Sequence, residues 1–188
     1  MARLHVEAEG VAQAAPEVVW ELMGHADRYH EWGPWSASGY QNPGDHADGP
    51  GVIRWMRYGR TTTVEKVLEA EKGRQLTYTV VKGIPVRNYR AEVTLTPQGQ
   101  GTHIRWSASW DRTLPGRVVH HTLRSLYPRV VSLLIAAADR KVPAGSMVRP
   151  RRSPGRRPVA RTGPAIPLPG PGSIPAGLSP PGPMSHSS

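Results

Sequence analysis

This sequence predicts an α+β domain in which a seven-stranded, curved antiparallel sheet wraps around a long C-terminal helix, with two short helices after the first strand. Two periodicities carry that reading. From Val52 to Trp110 apolar residues recur at every second position in short runs parted by turns, as in half-buried strands. From Gly116 to Arg140 they recur every three to four residues, as along one face of a helix. A third observation bounds the domain, because both periods vanish after Pro143.

Taken in order, Val6, Ala8, Gly10 and Ala12 alternate with Glu7, Glu9 and Val11 and make a first strand. Pro16 suits the first turn of a helix, Glu17 complements its N-terminal dipole, Val18, Val19, Leu22 and Met23 give it an apolar stripe, and Gly24 ends it. A second short helix is expected from about Asp27 to Trp32, stopped before Pro34. Six strands follow as a meander: 36–41, 52–58, 61–70, 75–82, 87–96 and 102–110. Their turns contain Gly59, Gly73, Gly83-Ile84-Pro85 and Pro97 to Gly101. In the final helix Val119, Leu123, Leu126, Tyr127, Val130, Val131, Leu134 and Ala138 share a stripe. Pro128 lacks the N–H that would bond Arg124, so a kink or a break into two helices is expected there.

The last hairpin is the most informative segment. Tyr89, Ala91, Val93 and Leu95 fall on one face of its first strand, and Ile104, Trp106, Ala108 and Trp110 on one face of its second. Very large side chains beside very small ones suit a concave wall around a ligand better than a filled core.

Composition divides the chain into a domain at 1–142 and a tail at 143–188. Of 188 residues 24 are Lys or Arg and 14 are Asp or Glu, a net charge of +10. All acidic residues precede position 140 and 18 basic ones precede Pro143, so the domain carries +4 and the tail +6. The tail holds 12 prolines in 46 residues and only eight long or branched apolar side chains, too few to offset the ordering of its backbone, so it is expected to be disordered. Cysteine is absent, which excludes disulfides and thiolate chemistry. No segment has the apolar core of a signal peptide or the roughly 20 apolar residues of a membrane span, and a soluble cytoplasmic protein is expected.

The local sequences in this order resemble the START-like superfamily SRPBCC (helix-grip, Bet v 1-like), and within it the polyketide cyclase/dehydrase branch. The resemblance rests on Ala15-Pro16-Glu17-Val18-Val19-Trp20, Tyr29-His30-Glu31-Trp32-Gly33-Pro34-Trp35, Gly49-Pro50-Gly51-Val52-Ile53-Arg54, Val64-Glu65-Lys66-Val67, Leu76-Thr77-Tyr78 and the hairpin above, and covers about residues 3 to 140. It implies a helix-grip fold with a cavity for lipids, polyketides or other apolar molecules, which some relatives cyclise, aromatise or dehydrate and others bind, carry or sense. Relatives that take acidic ligands often have a lysine on the second strand; this chain has Trp35-Ser36-Ala37-Ser38 there, which argues against a ligand carboxylate at that point.

Alternation and family position together nominate an inward set. It comprises Arg54, Met56 and Tyr58 on the third strand, Thr63 and Glu65 on the fourth, and Tyr78 on the fifth. Tyr89, Trp106 and Trp110 join from the hairpin, with Tyr127, Val131 and Leu134 from the long helix. Strand parity cannot separate cavity lining from ordinary core filling, since both point inward. Arg54 and Glu65 are more telling, because two ionisable groups facing an apolar interior need a partner. Either they point inward and form a mutual ion pair or a polar end of the cavity that meets a ligand, or a bulge rotates one of them out to solvent. In an enzyme, Glu65 would act as general acid or base, Arg54 would stabilise a developing enolate, and a tyrosine such as Tyr89 would assist.

The leading expectation is thus binding of one small hydrophobic molecule for carriage or sensing, the alternative a polyketide cyclase, aromatase or dehydratase. No cofactor is called for. His120 and His121 are adjacent and His25 and His30 five apart, spacings that do not place either pair on one helix face as a metal chelate needs. The tail arginines from Arg149 to Arg157, without interleaved aromatics, would give only weak, salt-sensitive contact with nucleic acid or another anionic partner, and a solvated tail is expected.

Overall fold

The computed structural model describes residues 2–42 and 49–143. The predicted tail lies outside the described residues, apart from Pro143. β1 (Arg3–Ala12) leads into α1 (Pro16–Met23), a 3-10 turn (Ala26–Arg28) and α2 (Tyr29–Trp32). The meander consists of β2 (Ala37–Tyr40), β3 (Ile53–Tyr58), β4 (Thr61–Glu71), β5 (Gln75–Lys82), β6 (Arg90–Gln98) and β7 (Gly101–Asp111), and α3 (Leu114–Asp139) follows. All seven strands form one antiparallel sheet in the order β1-β7-β6-β5-β4-β3-β2.

The β6–β7 hairpin is closed by a two-residue turn, Gly99-Gln100, because Pro97 pairs with Thr102 and Gln98 with Gly101; the predicted turn of 97–101 is therefore too long. β6 itself starts at Arg90 rather than near Arg87. Asn88 has a positive φ of 52° and its side-chain amide donates to Asp111 at 2.7 Å, so the backbone turns there before it can pair. Tyr89 is still buried, held from behind by Thr79, whose hydroxyl donates to the Tyr89 carbonyl at 2.6 Å.

α3 runs unbroken through Pro128, so of the two outcomes expected there, a kink or a break into two helices, the break does not occur. Pro128 is exposed, which puts its missing hydrogen bond on the solvent side, where a helix tolerates lengthened bonds best. The Thr113 hydroxyl caps the N-terminus by accepting from the Gly116 amide at 3.1 Å. The helix packs along β1 and, more lightly, β7, with α1 against it. At Gly10 on β1 an added Cβ would stand 2.6 Å from Ile135 Cδ1 and 3.6 Å from Val131 Cγ1, so the helix lies directly against the strand here and a larger residue would have to push the Ile135 side chain aside. This tight contact involves the C-terminal half of α3. Among the described residues, no helix is long and apolar enough to cross a membrane.

Candidate functional site: a cavity under the long helix

Between the N-terminal half of α3 and strands β3, β4, β5 and β7, with the loop leading into β6, lies a cavity of about 460 Å³, a size that suits a small organic ligand. Its sheet wall is formed by Met56, Thr63, Glu65, Tyr78, Tyr89 and Trp106. Val119, Leu123, Leu126, Tyr127 and Val130 form the helix wall. Those five recur at three- and four-residue intervals, so α3 turns one continuous apolar stripe to the hollow. The mouth is marked by the lining residues that reach solvent: Tyr58 and Thr61 at the β3–β4 turn, Pro85 in the β5–β6 loop, and Pro115, Val118 and Thr122 on α3.

The inner part of the cavity is polar. The Tyr89 and Tyr127 hydroxyls are 2.6 Å apart, and the Tyr78 hydroxyl accepts from Trp106 Nε1 at 2.9 Å. Burial pushes all three phenols well above the ordinary tyrosine value, and the neighbouring Glu65 carboxylate adds to the effect. They are thus neutral hydroxyls at physiological pH, able to donate or accept.

Arg54 and Glu65 are directly opposite in the β3–β4 register and both are buried. Arg54 Nε and Nη2 donate to Glu65 Oε2 at 3.1 and 3.0 Å, and Nη1 donates to the Tyr29 hydroxyl at 2.8 Å. The guanidinium carbon also lies 4.6 Å from the centre of the Tyr78 ring. A register shift does occur beside Glu65, between its pairing with Val80 and that of Val64 with Lys82, but it is Val81 that it leaves exposed. The carboxylate stays inside, so the mutual pair is the arrangement found.

Eight of the twelve nominated residues line the cavity: Met56, Tyr58, Thr63, Glu65, Tyr78, Tyr89, Trp106 and Tyr127. Tyr58 does so from the rim, 39% exposed. Four do not. Arg54 is spent on Glu65 and Tyr29 behind the wall. Trp110 is covered by the start of α3, donating Nε1 to the Gly116 carbonyl at 3.1 Å and stacking on Tyr89 at 5.8 Å, so it supports the wall from outside. Val131 and Leu134 belong to the tightly packed half of α3 and fill the core. Conversely, the helix residues Val119, Leu123, Leu126 and Val130 were legible as an apolar stripe but not as cavity wall. Trp35, stacked on Tyr29 at 5.4 Å, reaches the cavity from the entry to β2 with no periodic signal to mark it. Among the described residues no group of three His, Asp or Glu is placed to hold a metal ion.

A family model described as polyketide cyclase/dehydrase and lipid transport matches residues 3–138. No curated protein matches the chain significantly. Among solved structures, a protein from Thermobifida fusca is similar at 22% identity and a TM-score of 0.61, over 72% of this chain and 93% of that one. Protein XoxI from Bacillus cereus is similar at 20% identity and a TM-score of 0.59, over 73% and 95%. Ara h 8.0201 is similar at 14% identity and a TM-score of 0.57, over 73% and 98%. These likenesses establish a helix-grip, Bet v 1-like fold.

Proposed function

The chain belongs to the polyketide cyclase/dehydrase and lipid transport family, and from that premise we propose that it binds one small hydrophobic molecule, of lipid or polyketide-like kind, inside the cavity for carriage or sensing. The observation that carries this reading is the 460 Å³ hollow itself, mostly apolar in its lining, with Glu65, the tyrosine hydroxyls and a few threonines as its polar groups. The polar atoms narrow the ligand class. Neutral phenols suit a ketone or hydroxyl oxygen, whereas the Glu65 carboxylate on the same wall opposes a ligand carboxylate, and the Arg54 charge is already committed to Glu65.

A cyclase or dehydratase would work through Glu65 and Tyr89, which reach the cavity. Arg54 does not touch it, so the enolate-stabilising role expected for it has no geometric support, and that favours binding over catalysis. Native mass spectrometry of the protein purified from its own host tests the proposal: a bound apolar molecule bearing a neutral oxygen supports it, and a carboxylic acid or an empty protein counts against it. Glu65→Gln then separates the readings, since altered affinity without product formation belongs to a carrier or sensor and lost turnover belongs to an enzyme.

A further inference from the structure

The surface around the mouth has a composition unlike the rest of the domain. Leu114 and Val118, one helical turn apart at the start of α3, are 80% and 70% exposed. Pro115 and Val118 also line the cavity, so the exposed apolar lip runs continuously into its wall. Across the opening stands Tyr58. The three segments that frame the mouth, 57–62, 80–89 and 112–124, contain Arg57, Arg60, Lys82, Arg87, Arg112, Arg117 and Arg124 and no acidic residue.

Elsewhere on the sheet the arginines are neutralised, as in Arg74–Glu71, Arg90–Glu69 and Arg105–Glu7. Among the described residues, none of the seven around the mouth makes an ion pair with a carboxylate. An exposed apolar lip carried on segments rich in cations that pair with no carboxylate is complementary to an anionic bilayer, where the lip enters the acyl boundary and the cations meet phosphate.

We propose that the mouth of the cavity docks on anionic phospholipid membrane, so that an apolar ligand passes between bilayer and cavity without crossing water. This rests on the reading of the cavity as an apolar-ligand site. An acidic protein surface would match the charges equally, but it gives no reason for the apolar lip to ring the ligand entrance.

The test is flotation of the full chain with phosphatidylcholine vesicles, with and without phosphatidylglycerol, beside titration of the same samples with an apolar fluorescent probe. Flotation is expected only with the anionic vesicles, weakening steadily with added salt. Leu114→Ser, and separately Arg117→Glu with Arg124→Glu, should each reduce partitioning about tenfold while thermal unfolding and probe affinity stay as in the parent. Failure to float overturns docking, as does flotation that these variants leave unchanged, which would assign retention to the tail arginines. Equal retention on immobilised polyglutamate overturns it in favour of an acidic protein partner. A chain that floats but takes up no probe refutes the ligand reading instead.

Discussion

The Tyr89 and Tyr127 hydroxyls meet at 2.6 Å, joining the lead-in to β6 to helix α3 across the inner end of the cavity. It is a direct polar link between the sheet and the half of the helix that stands away from it. Replacing either residue by Phe leaves one buried hydroxyl without that partner, at a cost of about 1 to 2 kcal/mol. Because both variants lose the same bond, the double substitution should cost less than the two single ones added together. Urea unfolding of the four proteins measures this, and strict additivity would mean that the bond contributes nothing.

The same phenols impose a pH dependence. Tyr78, Tyr89 and Tyr127 have folded values raised well above 10, chiefly by burial. The unfolded chain therefore loses these protons first as pH rises. Their contribution to stability is fully present below about pH 10 and is lost above it, with a slope of up to about 1.4 kcal/mol per pH unit for each group. Unfolding midpoints at pH 9, 10 and 11 should fall progressively, and phenolate absorbance from the three should appear only as the protein unfolds. The fall should lessen in Tyr78→Phe. Ionisation of all three within the folded protein near pH 10 would contradict the picture.

Arg54 and Glu65 test a different balance. Removing the cation in Arg54→Met leaves the Glu65 carboxylate buried against Tyr78 and the cavity, and about 3 to 5 kcal/mol of stability should be lost. Replacing both, Arg54→Met with Glu65→Leu, removes the uncompensated charge and should recover most of that loss. Chemical denaturation reads both. Equal loss in the single and double variants would mean that the pair matters for shape rather than charge.

That pair was legible in the sequence as one of two outcomes: two ionisable groups on the inner face of neighbouring strands must either meet a partner or have one turned out by a bulge, and only the structure shows that they meet. The β6–β7 hairpin was legible because alternation repeats over many positions. The division of α3 was not. Leu123, Tyr127, Val131 and Leu134 share one stripe, and only the close approach at Gly10 decides that the helix touches the sheet beyond Val131 and leaves a hollow before it. Trp106 and Trp110 likewise share a strand face, but Trp110 lies under the Leu114–Gly116 turn and Trp106 does not. Periodicity reports which side of an element is inside. It does not report how far the facing element stands away.

A hollow of this kind can be filled without breaking contacts that hold the domain together. Leu123 lines the cavity from the helix side and is 9% exposed, so Leu123→Trp projects added volume into the space a ligand would use. Stability should change by less than about 1.5 kcal/mol, while affinity for an apolar probe falls at least tenfold. Leu134→Ala is the converse, because it cuts the packed core and should cost about 2 to 5 kcal/mol with little effect on probe affinity in the folded protein. Fluorescence titration and urea unfolding on both variants separate cavity from core, and a probe that binds Leu123→Trp unchanged must bind elsewhere.

The shape of the mouth depends on one glycine. Gly83, in the β5–β6 loop, has φ of +109°, and a Cβ there would stand 2.2 Å from the Thr62 carbonyl oxygen and 2.7 Å from the Thr63 Cα. Both neighbours are backbone, so neither can swing aside as a side chain would. Gly83→Ala therefore combines an unfavourable backbone conformation with a clash, and relief requires the loop to move away from β4. Ile84 and Pro85 go with it, and both line the cavity. About 1 to 3 kcal/mol of stability should be lost, together with faster amide exchange around residues 82 to 88 and weaker probe binding. If stability falls but probe affinity holds, the loop does not shape the entrance.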